Sequence, residues 1–299
     1  MAWVNTLPTP TGSSSSSTHA PARRSHISHL LGLLAGYSLP VAHPILSSTL
    51  PRFYRSLPIV DVGAHTGGDL IVPAALRGHR VYAYEPTPRT FHALVANLRR
   101  SNISFATKPR GFRNATAGTV LVRHAAVSDR SGFATLLQSP VYGGVANTLG
   151  GDAAMPASYL QGAYRRNVST VRLDDELKEE VDGVFMLKID SQGHEMSVLR
   201  GAEAYIRARP VYLIQLEFSP MGLKAAGVNP LDLLKFVSDD LGYQCFETTR
   251  NRGTRTQALS LSLEDFVAAY PAVSKRNKFG EWTDLLCARL DLVRRRARR

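Results

Sequence analysis

Residues 59–67 read Ile-Val-Asp-Val-Gly-Ala-His-Thr-Gly, an apolar run that breaks into a turn with two glycines. The run predicts a buried parallel strand, and glycine in the turn that leaves such a strand lets a ligand approach the backbone. Glu85 follows 22 positions after Gly63, at the end of a second apolar run. A carboxylate at the end of a neighbouring strand can accept hydrogen bonds from both hydroxyls of a ribose. The two features together predict a nucleoside-binding site.

The spacing of the glycines in this turn argues against a dinucleotide cofactor. The fingerprint Gly-x-Gly-x-x-Gly uses its second glycine to let the chain pass a pyrophosphate. Here that position is His65, so a nucleoside cofactor without a pyrophosphate is the stronger hypothesis and a dehydrogenase is the weaker one. Taken alone, the glycines are equally compatible with an ordinary tight turn between a strand and a helix.

Further along the chain, short apolar runs alternate with helical patterns, which is typical of a parallel sheet covered by helices on both faces. The predicted central strands are 59–62, 80–84, 184–189 and 211–216, and two late strands are predicted at 243–247 and 285–290. Weaker alternation predicts strands at 119–128 and 133–137. The predicted helices are 69–76, a helix that begins at Pro88 with Thr87 as its cap, 194–207, and 230–241.

Residues 139–168 show no clear period, so we expect a long loop there, and a loop of this length inside a domain is typical of a lid over a substrate. Asp174 and Asp175 suggest a metal site by their type, but we expect them to cap a helix that begins near Glu176.

The chain has 299 residues and a formal net charge of +12. No stretch in its middle has the composition of an interdomain linker, so we expect one catalytic domain over residues 56–292. Much of the positive charge lies outside that domain, because no acid precedes Asp61 and the tail, residues 293–299, carries five arginines. Such a tail is compatible with nucleic acid, an anionic membrane or an acidic substrate, although a solvated end is the simpler interpretation.

Residues 1–55 have the composition of a disordered or targeting leader, with a serine run at 13–17. The apolar segment within residues 28–46 is interrupted by Pro40 and Pro44, whereas a spanning helix needs about 20 consecutive apolar residues. A secretory signal, a membrane anchor and an organellar transit peptide all stay open. The leader therefore favours the secretory pathway, membrane association or an organelle over plain cytosol.

The chain contains two cysteines, Cys245 and Cys287, which is too few for a disulfide-built scaffold or a four-cysteine zinc site. We expect two buried reduced thiols. A bridge between them stays open if they lie on neighbouring strands at the end of the sheet.

A second motif, residues 186–201, reads Met-Leu-Lys-Ile-Asp-Ser-Gln-Gly-His-Glu-Met-Ser-Val-Leu-Arg-Gly. It follows the first turn, Tyr84-Glu85-Pro86, and Val171-Arg172-Leu173-Asp174 in this order, and the whole pattern resembles the FkbM family of S-adenosylmethionine-dependent methyltransferases over roughly residues 58–220. The resemblance implies an α/β fold of the Rossmann-like class I methyltransferase type. Its sheet is expected to be doubly wound, mostly parallel and seven-stranded, with an antiparallel last strand.

The resemblance also implies which residues hold the cofactor, S-adenosyl-L-methionine. The residues expected at its methionine end are Asp61, Gly63, Ala64 and Gly67, those at its ribose are Glu85 and Pro86, and those at its adenine are Val127 and Ser128. Gln192 departs from the family pattern, in which Glu is usual, so no carboxylate at this position takes part in the chemistry.

Methyl transfer to a hydroxyl is an in-line displacement that needs an aligned acceptor and a base for its proton. The candidate catalytic residues are Asp190, His194, Glu195 and Glu217. Asp190 and Glu195 rank above His194, because the family does not require histidine at that position. Each acid has a structural alternative as an ion-pair partner or helix-end charge. No metal is predicted, although Asp190 and Glu217 carry the oxygen ligands that a hard cation takes.

The leading functional hypothesis is O-methylation of a hydroxyl on a sugar, a glycan or another small metabolite. The first alternative is an RNA methyltransferase, because of the basic charge and of Lys108, Arg110 and Arg113. The second is a non-catalytic domain that binds a nucleoside. The sequence does not predict an oligomeric state.

Overall fold

The computed structural model describes residues 52–138, 148–149, 162–248, 257–258, 262–271, 281–289 and 291. The basic tail and residues 1–51 of the leader lie outside these residues, and so does most of the predicted loop at 139–168. Within the ranges that are described, no helix is both long enough and apolar enough to cross a membrane.

The described residues form two sheets. In chain order the strands are β1 (Ile59–Val62), β2 (Val81–Tyr84), β3 (Phe105–Ala106), β4 (Val120–Arg123), β5 (Ala126–Val127), β6 (Gly132–Gln138), β7 (Thr148–Leu149), β8 (Tyr164–Val171), β9 (Val184–Ile189), β10 (Val211–Phe218), β11 (Gln244–Thr248), β12 (Gln257–Ala258) and β13 (Thr283–Ala288). The large sheet has the order β12-β11-β13-β10-β9-β1-β2-β4-β3, and the small sheet has the order β5-β8-β6-β7.

The large sheet confirms the predicted fold class. Its strands from β10 to β3 are parallel, and β13 runs antiparallel to both of its neighbours, β10 and β11. The seven strands from β11 to β4 form the predicted sheet with an antiparallel last strand, and the two-residue strands β3 and β12 extend it at its edges.

Helices cover both faces of this sheet. In chain order they are α1 (Arg52–Ser56), α2 (Ile71–Leu76), α3 (Pro88–Arg100), α4 (Leu173–Glu176), α5 (Glu195–Arg200), α6 (Glu203–Ala208), α7 (Pro220–Ala225), α8 (Pro230–Lys235) and α9 (Leu263–Ala269), with a 3-10 helix at Phe112–Asn114 and a π-helix at Phe236–Asp240. Side chains alternate along β1, so that Val60 packs in one core cluster with Val198, and Ile59 packs in the other with Leu94.

The predicted helix 194–207 is broken in the structure into α5 and α6. The break falls at Gly201, where a Cβ atom would lie 2.0 Å from the carbonyl oxygen of Ser128. The chain segment around Ser128 therefore packs directly on the backbone of this helix pair, and the Gly201 carbonyl accepts a hydrogen bond from the Asp174 N–H at 2.9 Å. A helical pattern in the sequence does not reveal such a contact from outside the helix.

The prediction that Asp174 and Asp175 cap a helix beginning near Glu176 was wrong. Both residues lie inside α4, which begins at Leu173. The carboxylate of Asp174 instead accepts the backbone N–H of Tyr205 at 2.8 Å, in the first turn of α6. Asp174 thus satisfies a free donor of a helix 31 positions away in the chain. By contrast, the predicted helix start at residue 230 is confirmed: the helix begins at Pro230, and the side chain of Asn229 caps it by accepting the Leu231 N–H.

The small sheet was not predicted. The run 119–128 divides into β4 and β5, which lie in different sheets, and the predicted loop 139–168 is wrong at its end, since β8 begins at Tyr164. Strand β8 pairs antiparallel with β6 from Gln138↔Tyr164 to Gly132↔Thr170. Residues 164–167 are all exposed, so no alternation of apolar and polar residues indicates this strand in the sequence.

The expectation of two reduced cysteines was wrong. Cys245 and Cys287 are direct partners in the register of β11 and β13, and their side chains form a disulfide. The bridge ties β11 to the antiparallel strand next to β10.

Candidate active site

The predicted site residues meet at one edge of the large sheet. Because β1, β2, β9 and β10 are parallel neighbours, their carboxyl ends lie side by side, and ligands bind at this edge in open α/β sheets. The polar residues at or just beyond these strand ends are Asp61, Glu85, Asp190 and Glu217. The fold therefore brings together residues that are spread over more than half of the chain.

The turn after β1 owes its glycines to contacts within the protein. Gly63 has φ +80°, and a Cβ atom there would lie 1.9 Å from the carbonyl oxygen of Asp190. Gly67 has φ +74°, and a Cβ atom there would lie 2.4 Å from the Leu94 side chain. Between them His65 also adopts a left-handed conformation, with φ 48°. The turn therefore packs directly against the end of β9 and against α3, and these contacts alone require glycine at both positions.

Glu85 connects this turn to the start of α3. One carboxylate oxygen accepts the backbone N–H of His65 at 2.9 Å, and the other accepts that of Thr87 at 2.7 Å. A carboxylate oxygen has two lone pairs, so each oxygen can still accept a ribose hydroxyl. Ala64 is buried beside it and donates its N–H to the Tyr84 carbonyl at 3.0 Å. The geometry is compatible with the predicted ribose site.

The segment after β4 lies next to the second motif. Val127 is buried in the core, and its strand pairs with the end of β8. The hydroxyl of Ser128 is 2.9 Å from Nε2 of His194 and donates to the Asp129 carboxylate at 3.1 Å. Burial lowers the pKa of His194 to about 4, so this imidazole is neutral and a weak base at physiological pH.

Lys188 lies between two of the acids at the sheet edge. Its ammonium group is 3.1 Å from Asp61 and 3.5 Å from Asp190. Burial alone would lower the pKa of Lys188, but the charges of Asp61 and Asp190 outweigh burial and raise it above its ordinary value. Burial raises the pKa of Asp61, and Lys188 opposes this effect. Lys188 is therefore a buried ammonium ion that holds the two carboxylates in place.

Gln192 links the two remaining acids. Its side-chain amide donates to Asp190 and to Glu217, at 2.9 Å in each case. Burial raises the pKa of Glu217 well above its ordinary value, and the nearby charge of Asp190 adds to this effect. The Asp190 side chain is 40% exposed at this edge, and Glu217 is partly buried. The Asp190 carboxylate is thus accessible to a ligand at this edge.

Glu195 is held inside the protein. One of its oxygens accepts hydrogen bonds from the backbone N–H groups of Ser191 and Gly193, both at 3.1 Å, and from the Ser191 hydroxyl. Burial raises the pKa of Glu195 to about 7. The residue is fully buried, so no part of it is available to an acceptor. Its observed contacts are those of a residue that closes the turn before α5.

Several site features could not be predicted from the sequence. The sequence singles out Gln192 as a departure from the family pattern, but not as a bridge between two acids. Asp284 on β13 is the register partner of Glu217, a placement that depends on the antiparallel pairing of a strand far along the chain. Among the described residues, no group of three or more His, Cys, Asp or Glu side chains is arranged to hold a metal ion.

Part of the basic segment behind the RNA hypothesis lies against the residues before β9. Arg113 forms a salt bridge with Asp182 at 2.9 Å, and the backbone N–H of Gly111, beside Arg110, donates to Glu179. Acids from the segment before β9 thus lie against the loop that carries the predicted basic patch.

The sequence of this chain is similar to those of known methyltransferases. The model of a family described as "Methyltransferase FkbM domain" matches residues 61–245. The hexuronic acid methyltransferase AglP of Haloferax volcanii is 25% identical over 181 residues, which are 60% of this chain and 60% of that protein. This chain therefore matches less than two thirds of the length of that curated relative.

Among solved structures, magnesium protoporphyrin IX methyltransferase from Synechocystis PCC 6803 superposes with a TM-score of 0.39 and 10% identity, over 92% of this chain and 86% of its own. Precorrin-6y C5,15-methyltransferase from Geobacter metallireducens superposes with a TM-score of 0.34 and 11% identity, over 78% and 80% of the two chains.

Proposed function

Because this chain belongs to the FkbM methyltransferase family and uses S-adenosylmethionine as its methyl donor, we propose that it methylates a hydroxyl oxygen of a sugar or glycan. The observation that carries the proposal is the position of Asp190. This carboxylate is partly exposed at the ligand-binding edge and is held on one side by Lys188 and on the other by Gln192. A fixed carboxylate facing the cleft suits an acceptor whose hydroxyl proton must be removed.

The donor site is proposed to consist of the residues predicted for it. The Gly63 to Gly67 turn would hold the methionine end, Glu85 would accept the ribose hydroxyls, and the segment at Ser128 would border the adenine. The donor supplies an electrophilic methyl group when it is bound. The protein's own residues orient that methyl group toward the acceptor and exclude water from the path between them.

Asp190 is proposed as the base. The carboxylate of Asp190 would accept the proton that the acceptor hydroxyl loses as it takes up the methyl group. Two of the other candidates are less suited to this step, because Glu195 is fully buried and the pKa of His194 lies at about 4. Glu217 shares the side-chain amide of Gln192 with Asp190.

A sugar acceptor is supported by the relative from Haloferax volcanii, whose name states that it is a hexuronic acid methyltransferase. An RNA acceptor has weaker support, because the basic residue Arg113 is paired with Asp182. A non-catalytic domain would have no evident need for an exposed carboxylate held in place by two neighbouring side chains.

An oxidising compartment is also proposed for this chain. Disulfides persist in secretory and periplasmic environments and are rare in a reducing cytosol. The bond between Cys245 and Cys287 therefore supports the secretory alternative among those that the leader leaves open.

The test uses the full chain and labelled S-adenosylmethionine against a panel of neutral sugars, uronic acids and RNA. We expect label in the sugar fraction, and we expect Asp190→Asn to bind the donor in calorimetry as the parent does while turnover falls by about a hundredfold or more. Asp182→Asn, which changes an exposed acid outside the site, is the matched control. Label in RNA alone, or full turnover by Asp190→Asn, would contradict the proposal.

A further inference from the structure

The amide of Gln192 joins two carboxylates that come from different strands. Its nitrogen carries two hydrogens, and the distances of 2.9 Å to Asp190 and 2.9 Å to Glu217 allow one hydrogen bond to each. The two acid oxygens therefore share one donor nitrogen and lie no more than twice 2.9 Å apart. The charge of Asp190 adds to burial in raising the pKa of Glu217, because like charges repel.

The charges around this pair favour one proton on Glu217. The described groups that face Glu217 are Asp190 beyond β9, Glu195 on α5, Asp284 on β13 and the cation Lys188 on β9. Lys188 itself is engaged by Asp61 and Asp190. The lysine thus stabilises the ionised form of Asp190 directly, while Glu217 faces mainly other acids.

The backbone holds Gln192 where this bridge requires it. The residue adopts a left-handed conformation with φ 56°, which is unusual for a residue other than glycine. At the next position, a Cβ atom on Gly193 would lie 2.3 Å from the carbonyl oxygen of Gly222 in α7. The turn is therefore packed tightly against α7, which fixes the backbone position from which the Gln192 side chain reaches the two acids.

We propose that Gln192 is a positioning residue whose amide makes Asp190 and Glu217 one acid–base unit, in which Glu217 keeps a proton and Asp190 stays ionised toward the cleft. The inference rests on the proposed function, because it assigns Asp190 its role as the base. Burial raises the pKa of Glu217, which agrees with this assignment. The neutral amide matters, since a carboxylate at position 192 would add a negative charge beside Asp190 and could not donate a hydrogen bond to either acid.

The first measurement needs no acceptor. Carboxyl ¹³C resonances of the full chain with labelled glutamate are followed over pH, with the Glu217 resonance assigned by its loss in Glu217→Gln. We expect Glu217 to remain protonated at neutral pH. A Glu217 resonance that titrates near the ordinary value for a glutamate would overturn the proposal even if no acceptor is ever found. Failure of the proposed function is recognised separately, by the absence of turnover despite donor binding.

The second measurement is the pH profile of turnover for Gln192→Glu and Gln192→Met. In Gln192→Glu, which restores the usual residue of the family, we expect the acidic limb to move up by about one pH unit, a tenfold loss at a fixed acidic pH that is recovered at high pH. Gln192→Met removes the amide without adding charge and should move the limb less. Gln244→Glu makes the same change at the start of β11, which is separated from β9 by β13 and β10, and should not move the limb.

The alternative to a positioning role is a purely structural one. In that case both variants of Gln192 would lose the same fraction of turnover at every pH, with the acidic limb at its parental position. That result overturns the proposal. If neither variant folds, as judged by its thermal midpoint, the titration of Glu217 in the parent chain still decides the question.

Discussion

The carbonyl oxygen of Asp190 occupies the space in which Gly63 would otherwise carry a side chain. A Cβ atom on Gly63 would lie 1.9 Å from that oxygen and 2.9 Å from the carbonyl carbon. The turn that shapes the donor site and the strand end that carries the proposed base are thus in direct backbone contact. A change at one of these positions must displace the other, which couples donor binding to the geometry of the base.

Gly63→Ala should therefore impair both folding and donor binding. The substitution places a methyl group against backbone atoms and forces alanine into φ +80°, which together should cost about 2 kcal/mol or more of unfolding free energy. Gly68→Ala is the control, because no atom lies within 4 Å of the position that a Cβ atom would take there. Urea denaturation and calorimetry with S-adenosylhomocysteine measure the two effects. Equal stability of the two variants would show that the turn relaxes without cost.

Glu85→Gln should weaken donor binding more than it weakens the fold. The amide keeps one acceptor for the backbone N–H groups of His65 and Thr87, but it loses the charge that strengthens hydrogen bonds from the ribose. The loss of affinity should be about tenfold to a hundredfold, which corresponds to a charged hydrogen bond of about 1.5–3 kcal/mol. Calorimetry measures this loss of affinity, and Glu264→Gln, a substitution of an exposed residue, is the control. Unchanged affinity would remove Glu85 from the proposed ribose site.

The sequence predicted those parts of the site that strand order determines. Asp61, Glu85, Asp190 and Glu217 end adjacent parallel strands, so four local patterns and one topology are enough to place them on a common edge. The bridge through Gln192 could not be predicted, because it depends on a left-handed turn and on side-chain distances between strands. Asp284, the register partner of Glu217, comes from an antiparallel strand whose alignment no local pattern fixes.

The same distinction between local patterns and distant contacts applies to the elements of the fold. Buried strands such as Ile59–Val62 were predicted with their bounds, because a continuous apolar run is typical of a strand that is buried on both faces of the sheet. The small sheet was missed, because the exposed first half of β8 pairs through its backbone and carries no apolar pattern. The break between α5 and α6 was missed for a related reason, since it falls at Gly201, where the Ser128 carbonyl from another part of the chain packs against the backbone.

Glu180→Gln should destabilise the fold strongly. Glu180 accepts a hydrogen bond from Arg80 at 3.0 Å and one from the Tyr82 hydroxyl at 2.7 Å, and its side chain is 2% exposed. The variant leaves the Arg80 cation poorly paired in a mostly buried position, which should cost about 3 kcal/mol. Asp182→Asn in the exposed pair with Arg113 should cost at most about 1 kcal/mol. Similar losses in the two variants, measured by urea denaturation, would contradict this assignment.

Reduction should destabilise the parent chain but not a cysteine-free variant. The disulfide closes a sequence separation of 42 residues between Cys245 and Cys287. A loop of this length should contribute about 2–4 kcal/mol to the unfolding free energy. Thermal unfolding with and without dithiothreitol measures this contribution, and the double variant Cys245→Ala, Cys287→Ala is the control. If dithiothreitol leaves the thermal midpoint of the parent chain unchanged, the two cysteines are not bonded in solution.

Two neighbouring residues should give opposite pH dependences of stability. The pKa of His194 is lowered from 6.5 to about 4 by burial, so the folded protein binds its proton less readily than the unfolded chain does. Its contribution to stability is fully present above pH 6.5 and is lost as the pH falls toward 4. The pKa of Glu195 is raised from 4.5 to about 7, so its contribution is present below pH 4.5 and is lost as the pH rises toward 7.

Urea denaturation over this pH range separates the two contributions. The difference in unfolding free energy between the parent and His194→Gln should grow with pH from about 4 to 6.5, whereas the difference for Glu195→Gln should shrink from about 4.5 to 7. Gly68→Ala, which removes no titratable group and places its Cβ atom in open space, is the control and should give a difference that does not vary with pH. Slopes of the same sign for His194→Gln and Glu195→Gln would mean that one of these side chains is in contact with water in solution. A flat profile for Glu195→Gln in particular would return Glu195 to the candidates for the base, since an accessible carboxylate could reach the acceptor.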